Sequence, residues 1–327
     1  MLEVGLVAQC EKVVAESPWV VLDAEAVERV ADGVDPDALR VPDWSGDEMF
    51  ESGSEAQVVG WLFAYNAVNF CYWPEPGQRR WFTRVDGRDV GCDDEALGVM
   101  AAFAAALRRG VPLDDGAYLA DLGRADLDAL LAPAPGAGPL PLLDERLHGL
   151  RELGHAWQRT GGPLAFLRVP GSSAPDVAAF VARELPSWRD ERAWRQEVVR
   201  FRKRAQLCVA MVHGRLRGEG AGAFRHLDRL TVFADYRLPQ VLRGLEVLRL
   251  RSDLRARIDG LGELPTGSEE EVSLRAATVA GAEALRRAWA RHRPDLTALH
   301  VDYWLWRTAV DRDATLPPFH RTRCVDY

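Results

Sequence analysis

Two aspartates, one lysine and a set of aromatics are the residues best placed to do chemistry in this chain. Asp302 lies in ALHVDYWLW, where Leu299, Asp302, Leu305, Trp306 and Ala309 fall on one stripe of a helix. A carboxylate on an apolar stripe is desolvated and must be paired, neutralised or used. It is either half of a buried ion pair with an arginine or a catalytic or ligand-binding group in an aromatic-walled pocket. Asp235 lies in TVFADYRLPQ, four residues before Pro239, which suits the first position of a helix running to about Arg251. Asp235 can cap that helix, although the spacing is long for a cap. Lys203 shares a helical stripe with Val199, Leu207 and Met211. Its ammonium can snorkel, pair with a buried aspartate or receive a phosphate as a point charge. Of the 41 basic residues only Lys12 and Lys203 are lysines. Where arginine has replaced lysine almost everywhere, a retained compact ammonium draws notice. Lys12 sits on a polar N-terminal helix and reads as solvated.

The helix opened by Ser54 carries Trp61, Tyr65 and Asn69 at i, i+4 and i+8, followed by Phe70, Tyr72 and Trp73. Such aromatics are usually core. Asn69 among them needs partners for its amide, which fits a packed network or a base-reading site. Phe319-His320-Arg321-Thr322-Arg323 is either a basic tail or a set of donors for an anion. Together these residues suit a planar base carrying a sugar phosphate. Aromatic faces stack the base, cations take the phosphate, and a carboxylate at the sugar stabilises an oxocarbenium-like transition state, activates water or attacks. Other motifs carry less. GEGAG at 218–222 follows a helix and lacks GK[ST], so it reads as a turn. Asp93-Asp94 and Asp114-Asp115 read as helix starts, where carboxylates favour the dipole. HExxH, GxSxG and zinc-type Cys/His spacings do not occur.

The elements that position these residues read as helices. Helices are expected at 2–15, from Ser54 to about Cys71, from Asp93 or Asp94 to near Gly110, and over 143–159, 175–184 and 190–213. Ser268 with Glu271 forms a second capping pair, opening a helix to about Arg291, and Pro294 precedes a last helix over about 295–310. Residues 79–86 suit one strand of a small hairpin, and 164–169 a short extended piece. The fold class is mostly α with a few short strands. The Pro/Gly-rich segment 133–141 is the expected boundary between two helical lobes of one catalytic unit. The chain has 327 residues and a net charge of -8, which weighs against bulk duplex nucleic acid as a partner. Its five cysteines are widely spaced, as expected of free thiols in a reducing cytoplasm. The N-terminus lacks the pattern of a signal peptide, and no apolar run reaches membrane-spanning length. Nothing in the pattern calls for an obligate protein partner.

NFCYW at 69–73, KRAQ at 203–206, TVFADYRLPQVLR at 231–243, EVSLRAA from Glu271 to Arg275 and beyond, DYWLW at 302–306 and the ending HRTRCVDY resemble the queuosine salvage proteins. These motifs spread from about residue 54 to the C-terminus. The resemblance implies a helical fold similar to helix-hairpin-helix DNA glycosylases, acting on a small molecule without metal or other cofactor. It implies hydrolysis of queuosine 5′-monophosphate to queuine and ribose 5-phosphate. By this likeness Phe233 and Asp235 are the base-binding pair, with Tyr236, Asn69 and Trp306 beside the base. Asp302 stands at the glycosidic bond, with Asp235 the rival for that catalytic role. Lys203, Arg237, His320 and Arg321 meet the phosphate or sugar. The family also carries a histidine shortly before the NFCYW segment. Glu48, Met49 and Phe50 occupy that neighbourhood here, and no role carries over. Three rival readings remain: a DNA-lesion glycosylase of similar fold, a non-catalytic queuosine-nucleotide-binding protein, and a scaffold whose aspartate and lysine form a mere ion pair.

Overall fold

The computed structural model describes residues 5–45 and 53–327, so Glu48, Met49 and Phe50 lie outside the described residues. The chain is mostly helical, with three two-stranded antiparallel sheets among the described residues. Its helices are α1 (Leu6–Glu16), α2 (Ala24–Gly33), α3 (Glu55–Ala67), α4 (Glu95–Arg108), α5 (Gly116–Ala120), α6 (Arg124–Leu130) and α7 (Leu143–Thr160). They continue with α8 (Pro163–Arg168), α9 (Ala174–Glu184), α10 (Lys203–Arg215), α11 (Arg237–Gly244), α12 (Ser252–Asp259), α13 (Glu269–Ala290) and α14 (Ala298–Asp311). The strands are β1 (Val20–Leu22) with β6 (Leu248–Leu250), β2 (Thr83–Val85) with β3 (Arg88–Val90), and β4 (Glu191–Trp194) with β5 (Glu197–Arg200). No described helix is long and apolar enough to cross a membrane.

Two hydrophobic clusters hold these elements. The first joins α3, α4, α7, α9 and α10 around Phe63, Trp157, Phe166 and Trp188. The second gathers α1, α2, α11 and α14 around α13, where Trp289 meets Trp304 edge-on at 5.2 Å. The segment 133–141 does not mark the change of cluster, because Leu130 and Leu131 before it, Leu140 within it and Leu147 after it all pack in the first. Ala134 N and Gly138 N donate to Phe82 O at 2.9 Å and Arg80 O at 2.9 Å, which ties this loop to the segment leading into β2. The chain changes cluster instead between Leu39 and Val58, enters the second again over β4 and β5 before α10 returns to the first, and crosses once more after Leu230.

Both predicted capping sites open helices. Ser54 Oγ accepts from Gln57 N at 3.2 Å while Gln57 Oε1 accepts from Ser54 N at 3.0 Å. At α13, Ser268 Oγ accepts from Glu271 N at 3.3 Å, but the Glu271 carboxylate takes Gly267 N instead of closing the box.

Four expectations are corrected. The helix α3 stops at Ala67, short of Cys71, because two buried arginines take over its last carbonyls. Arg204 donates to Asn66 O and Ala67 O at 3.1 Å, and Arg146 donates to Val68 O and to Phe70 O at 2.7 Å. Asn69 and the residues after it therefore leave the helix as a loop, with Cys71 in the left-handed region. The stretch 190–213 is not one helix. A β4–β5 hairpin precedes α10, bracketed by Asp190 and Arg202, both at positive φ. Residues 164–169 are not extended: Pro163, with φ preset for a first turn, starts the short helix α8. The helix expected from Pro239 to Arg251 starts earlier, at Arg237, and ends at Gly244; β6 follows and pairs with β1.

Candidate active site

A cavity of about 600 Å³ opens where the two clusters meet, and α3, α4, α10, α11 and α14 all send side chains into it. Asp302, from α14, is partly exposed to this cavity. Its Oδ1 accepts from the backbone N–H of Phe233 at 2.7 Å. That bond fixes the carboxylate and leaves its other oxygen to the cavity. Burial raises the Asp302 carboxyl to about 7, and the like charge of Asp235 adds to this; the Phe233 N–H and the Lys203 ammonium act the other way. The group is therefore balanced between acid and carboxylate near neutral pH.

Phe233 and Asp235 ride on a segment whose backbone is held from both clusters. Gln206, on α10, accepts from Thr231 N at 3.0 Å and donates to Thr231 Oγ1 at 3.1 Å. Arg275, on α13, donates from Nε to Ala234 O at 3.1 Å. Asp235 Oδ1 accepts from Arg237 N at 2.8 Å and Leu238 N at 3.1 Å. Asp235 thus caps α11, which the early start of that helix permits, while also lining the cavity.

Lys203 opens α10, where Asp190 Oδ2 accepts from its backbone N–H at 3.0 Å. Lys203 is buried, and its ammonium makes no ion pair with a described residue. Desolvation lowers its pKa, against the pull of Asp235 and Asp302. Lys203, Leu207 and Met211 form one cavity-facing stripe, as read from the sequence; Val199 belongs to β5 instead.

The aromatic wall comes from Phe233, Tyr236, Phe319 and Trp306, with the Tyr236 and Phe319 rings 4.8 Å apart. Asn69 lines the cavity as well, its Oδ1 accepting from Tyr72 Oη at 3.1 Å. Arg237 reaches the wall but is committed, donating to Asp313 Oδ1 at 2.6 Å and Gln240 Oε1 at 3.0 Å. Arg321 lines the cavity above the Trp73 ring. His320 is not brought to the cavity. It is buried, burial and Arg275 lower its pKa to about 3, and Nε2 meets Tyr327 Oη at 3.3 Å.

Sequence reasoning missed Asp94, Tyr65 and Arg80 as cavity residues. Asp94 does cap α4, its Oδ1 accepting from Ala96 N at 2.9 Å, as the sequence suggests. A cap position carries no helical face, so no periodicity signals that its other oxygen looks into a pocket.

A carboxylate poised near neutral pH, a neighbouring carboxylate, an unpaired lysine and close-packed rings in one cavity are the groups that chemistry at the glycosidic bond of a planar base on an anionic sugar calls for. Residues 49–327 match the model of the queuosine salvage protein family. The chain is 38% identical over 325 residues to the queuosine 5′-phosphate N-glycosylase/hydrolase of Sphaerobacter thermophilus, covering 99% of this chain and 98% of that one. It is 30% identical to the Mus musculus protein of the same name, covering 94% of each. It is 24% identical to that of Schizosaccharomyces pombe, over 83% of this chain and 80% of that one. The chain belongs to the queuosine salvage protein family.

Proposed function

We propose that this protein hydrolyses the N-glycosidic bond of queuosine 5′-monophosphate, releasing queuine and ribose 5-phosphate. Water's oxygen bonds to C1′ as the C1′–N9 bond breaks. The base leaves with the bonding electron pair and gains a proton, and the water loses one. Positive charge builds on C1′ and the ring oxygen, so a carboxylate fixed beside them lowers the barrier. Asp302 is that carboxylate, held by the Phe233 N–H; it stabilises the charge or bonds transiently to C1′. Phe233 stacks on the deazaguanine, while Tyr236, Asn69 and Trp306 border it and Asp235 accepts its N–H donors. Lys203 and Arg321 receive the sugar phosphate, and Arg237, tied to Asp313, shapes the wall behind it. His320 is assigned no ligand contact, because it lies outside the cavity lining.

The observation that carries this reading is the Phe233 N–H to Asp302 bond at 2.7 Å, which couples the stacking residue to the carboxylate in one cavity. We place the protein in the cytoplasm, in keeping with five free cysteines, four of them buried. A net charge of -8 supports a small-molecule substrate over duplex DNA. Chromatography of base release from queuosine 5′-monophosphate and from queuosine, with wild type beside Asp302→Asn, tests the assignment. Queuine release by wild type, lost by about a thousandfold or more in the folded variant, is expected. A nucleotide-induced rise in melting temperature without base release would replace the enzyme with a binding protein.

A further inference from the structure

Gln206 stands outside the cavity, yet it governs how the donor to Asp302 is held. Gln206 and Thr231 are both buried, and neither lines the cavity. The Gln206 amide has one orientation that satisfies its neighbours. Nε2 faces Phe201 O at 2.8 Å, which can only accept, and Oε1 faces Thr231 N at 3.0 Å, which can only donate. Nε2 also donates to Thr231 Oγ1 at 3.1 Å, and that hydroxyl donates in turn to Val232 O at 3.1 Å. One side chain thus ties down Thr231 and Val232, directly before Phe233. On the far side, Arg275 Nε holds Ala234 O at 3.1 Å. The Phe233 N–H lies between these two anchors and donates to Asp302 Oδ1 at 2.7 Å. Residues 231–235 belong to no helix or strand, so the two side chains stand in for the ladder that would otherwise fix this backbone.

We propose that Gln206 is a positioning residue for the hydrolysis, which by holding Thr231 aims the Phe233 N–H at the carboxylate that faces C1′. The inference rests on the queuosine 5′-phosphate reading. α10 then serves one carboxylate twice, with Lys203 inside the cavity and Gln206 one turn on and outside it. A hydrogen bond weakens steeply once donor and acceptor are misaligned, and a donor to a carboxylate favours its ionised form. Loss of Gln206 should therefore raise the pH at which Asp302 ionises. The charged groups acting on Asp302 are Asp235, from the same segment, and Lys203. Arg237 of α11, tied to Asp313, Arg307 of α14 and Arg321 line the same cavity. Replacing Gln206 removes none of these charges.

Gln206→Met tests it, because methionine keeps the length of the side chain and removes its amide. Base release from queuosine 5′-phosphate is measured across pH for wild type and variant, with folding checked by thermal melting. The midpoint of the pH profile is expected to rise by about 0.5–1 pH unit. The plateau of kcat/KM should fall about tenfold, more in kcat than in KM. Gln206→Asn, one methylene shorter, should shift the midpoint the same way, and it carries the test if the methionine variant does not fold. A variant that melts lower but keeps the wild-type midpoint and kcat would make Gln206 a structural residue only and overturn the proposal. A rise in KM alone would overturn it as well. No base release from queuosine 5′-phosphate by the wild type would instead overturn the substrate reading, and the positioning role with it.

Discussion

Two buried charged groups about the same segment behave in opposite ways. Asp190 and Arg275 are nearly inaccessible and meet through two bonds of 2.7 Å, with Lys203 N as a third donor to the carboxylate. Asp302, Asp235 and Lys203 share the cavity with no ion pair among them. Burial pushes both Asp190 and Asp302 towards the neutral acid. In Asp190 the bidentate arginine outweighs it and holds the carboxyl below the usual range. In Asp302 one backbone N–H and an unbonded lysine do not, and it rises to about 7. Burial with complete pairing makes a structural clamp, and partial burial with incomplete pairing a reactive group. The clamp serves the reactive group, since Arg275 holds Ala234 O and Asp190 holds Lys203 N.

The largest effect should come from breaking the clamp. Arg275→Met leaves Asp190 buried and unpaired, which should cost about 3–5 kcal/mol of stability in denaturant unfolding. A loss below about 1 kcal/mol would mean that the pair is not the clamp described. Lys203→Met should separate substrates: kcat/KM for queuosine 5′-monophosphate should fall about 10–100-fold, and that for queuosine by much less. An equal fall for both would take Lys203 away from the phosphate. Asp302→Asn should show the opposite sign to the clamp. The wild-type carboxyl has a folded pKa above its unfolded one, so its ionisation lowers stability as pH rises towards 7, and the loss is complete above. Asparagine escapes that loss. At pH 8 the variant should melt about 2 °C above wild type, allowing for solvent in the cavity, and the gap should close below about pH 4. A variant that melts lower at pH 8 would show Asp302 to be structurally paired.

Much of this contrast could be read from the chain itself, unevenly. Asp302 stood out because a helix stripe exposes an aspartate among leucines and tryptophans. Lys203 stood out because one other lysine survives in the chain. The mostly helical class followed from periodicity and two capping pairs. The hairpin before Lys203 did not, since its apolar residues also fit helical spacing. Two left-handed residues and a buried arginine 85 positions from Asp190 decide it. The end of α3 was hidden for the same reason: its carbonyls are met by Arg146 and Arg204, about 80 and 140 residues away. Asp94 and Tyr65 were legible as a cap and a core aromatic, which they are. Their cavity faces exist only once α3 and α4 pack. The early start of α11 gave Asp235 a capping role that its distance from Pro239 had disfavoured.

The pH dependence of kcat/KM for queuine release tests the central claim most directly, because it asks whether the underpaired carboxylate is the one that works. A carboxylate must be ionised to face the developing positive charge, so kcat/KM should rise with pH through a midpoint near 7. That midpoint should move lower in Asp235→Asn, where the neighbouring like charge is gone. A profile level from pH 5 to 8 in the wild type would contradict the assignment of Asp302 as the reacting carboxylate.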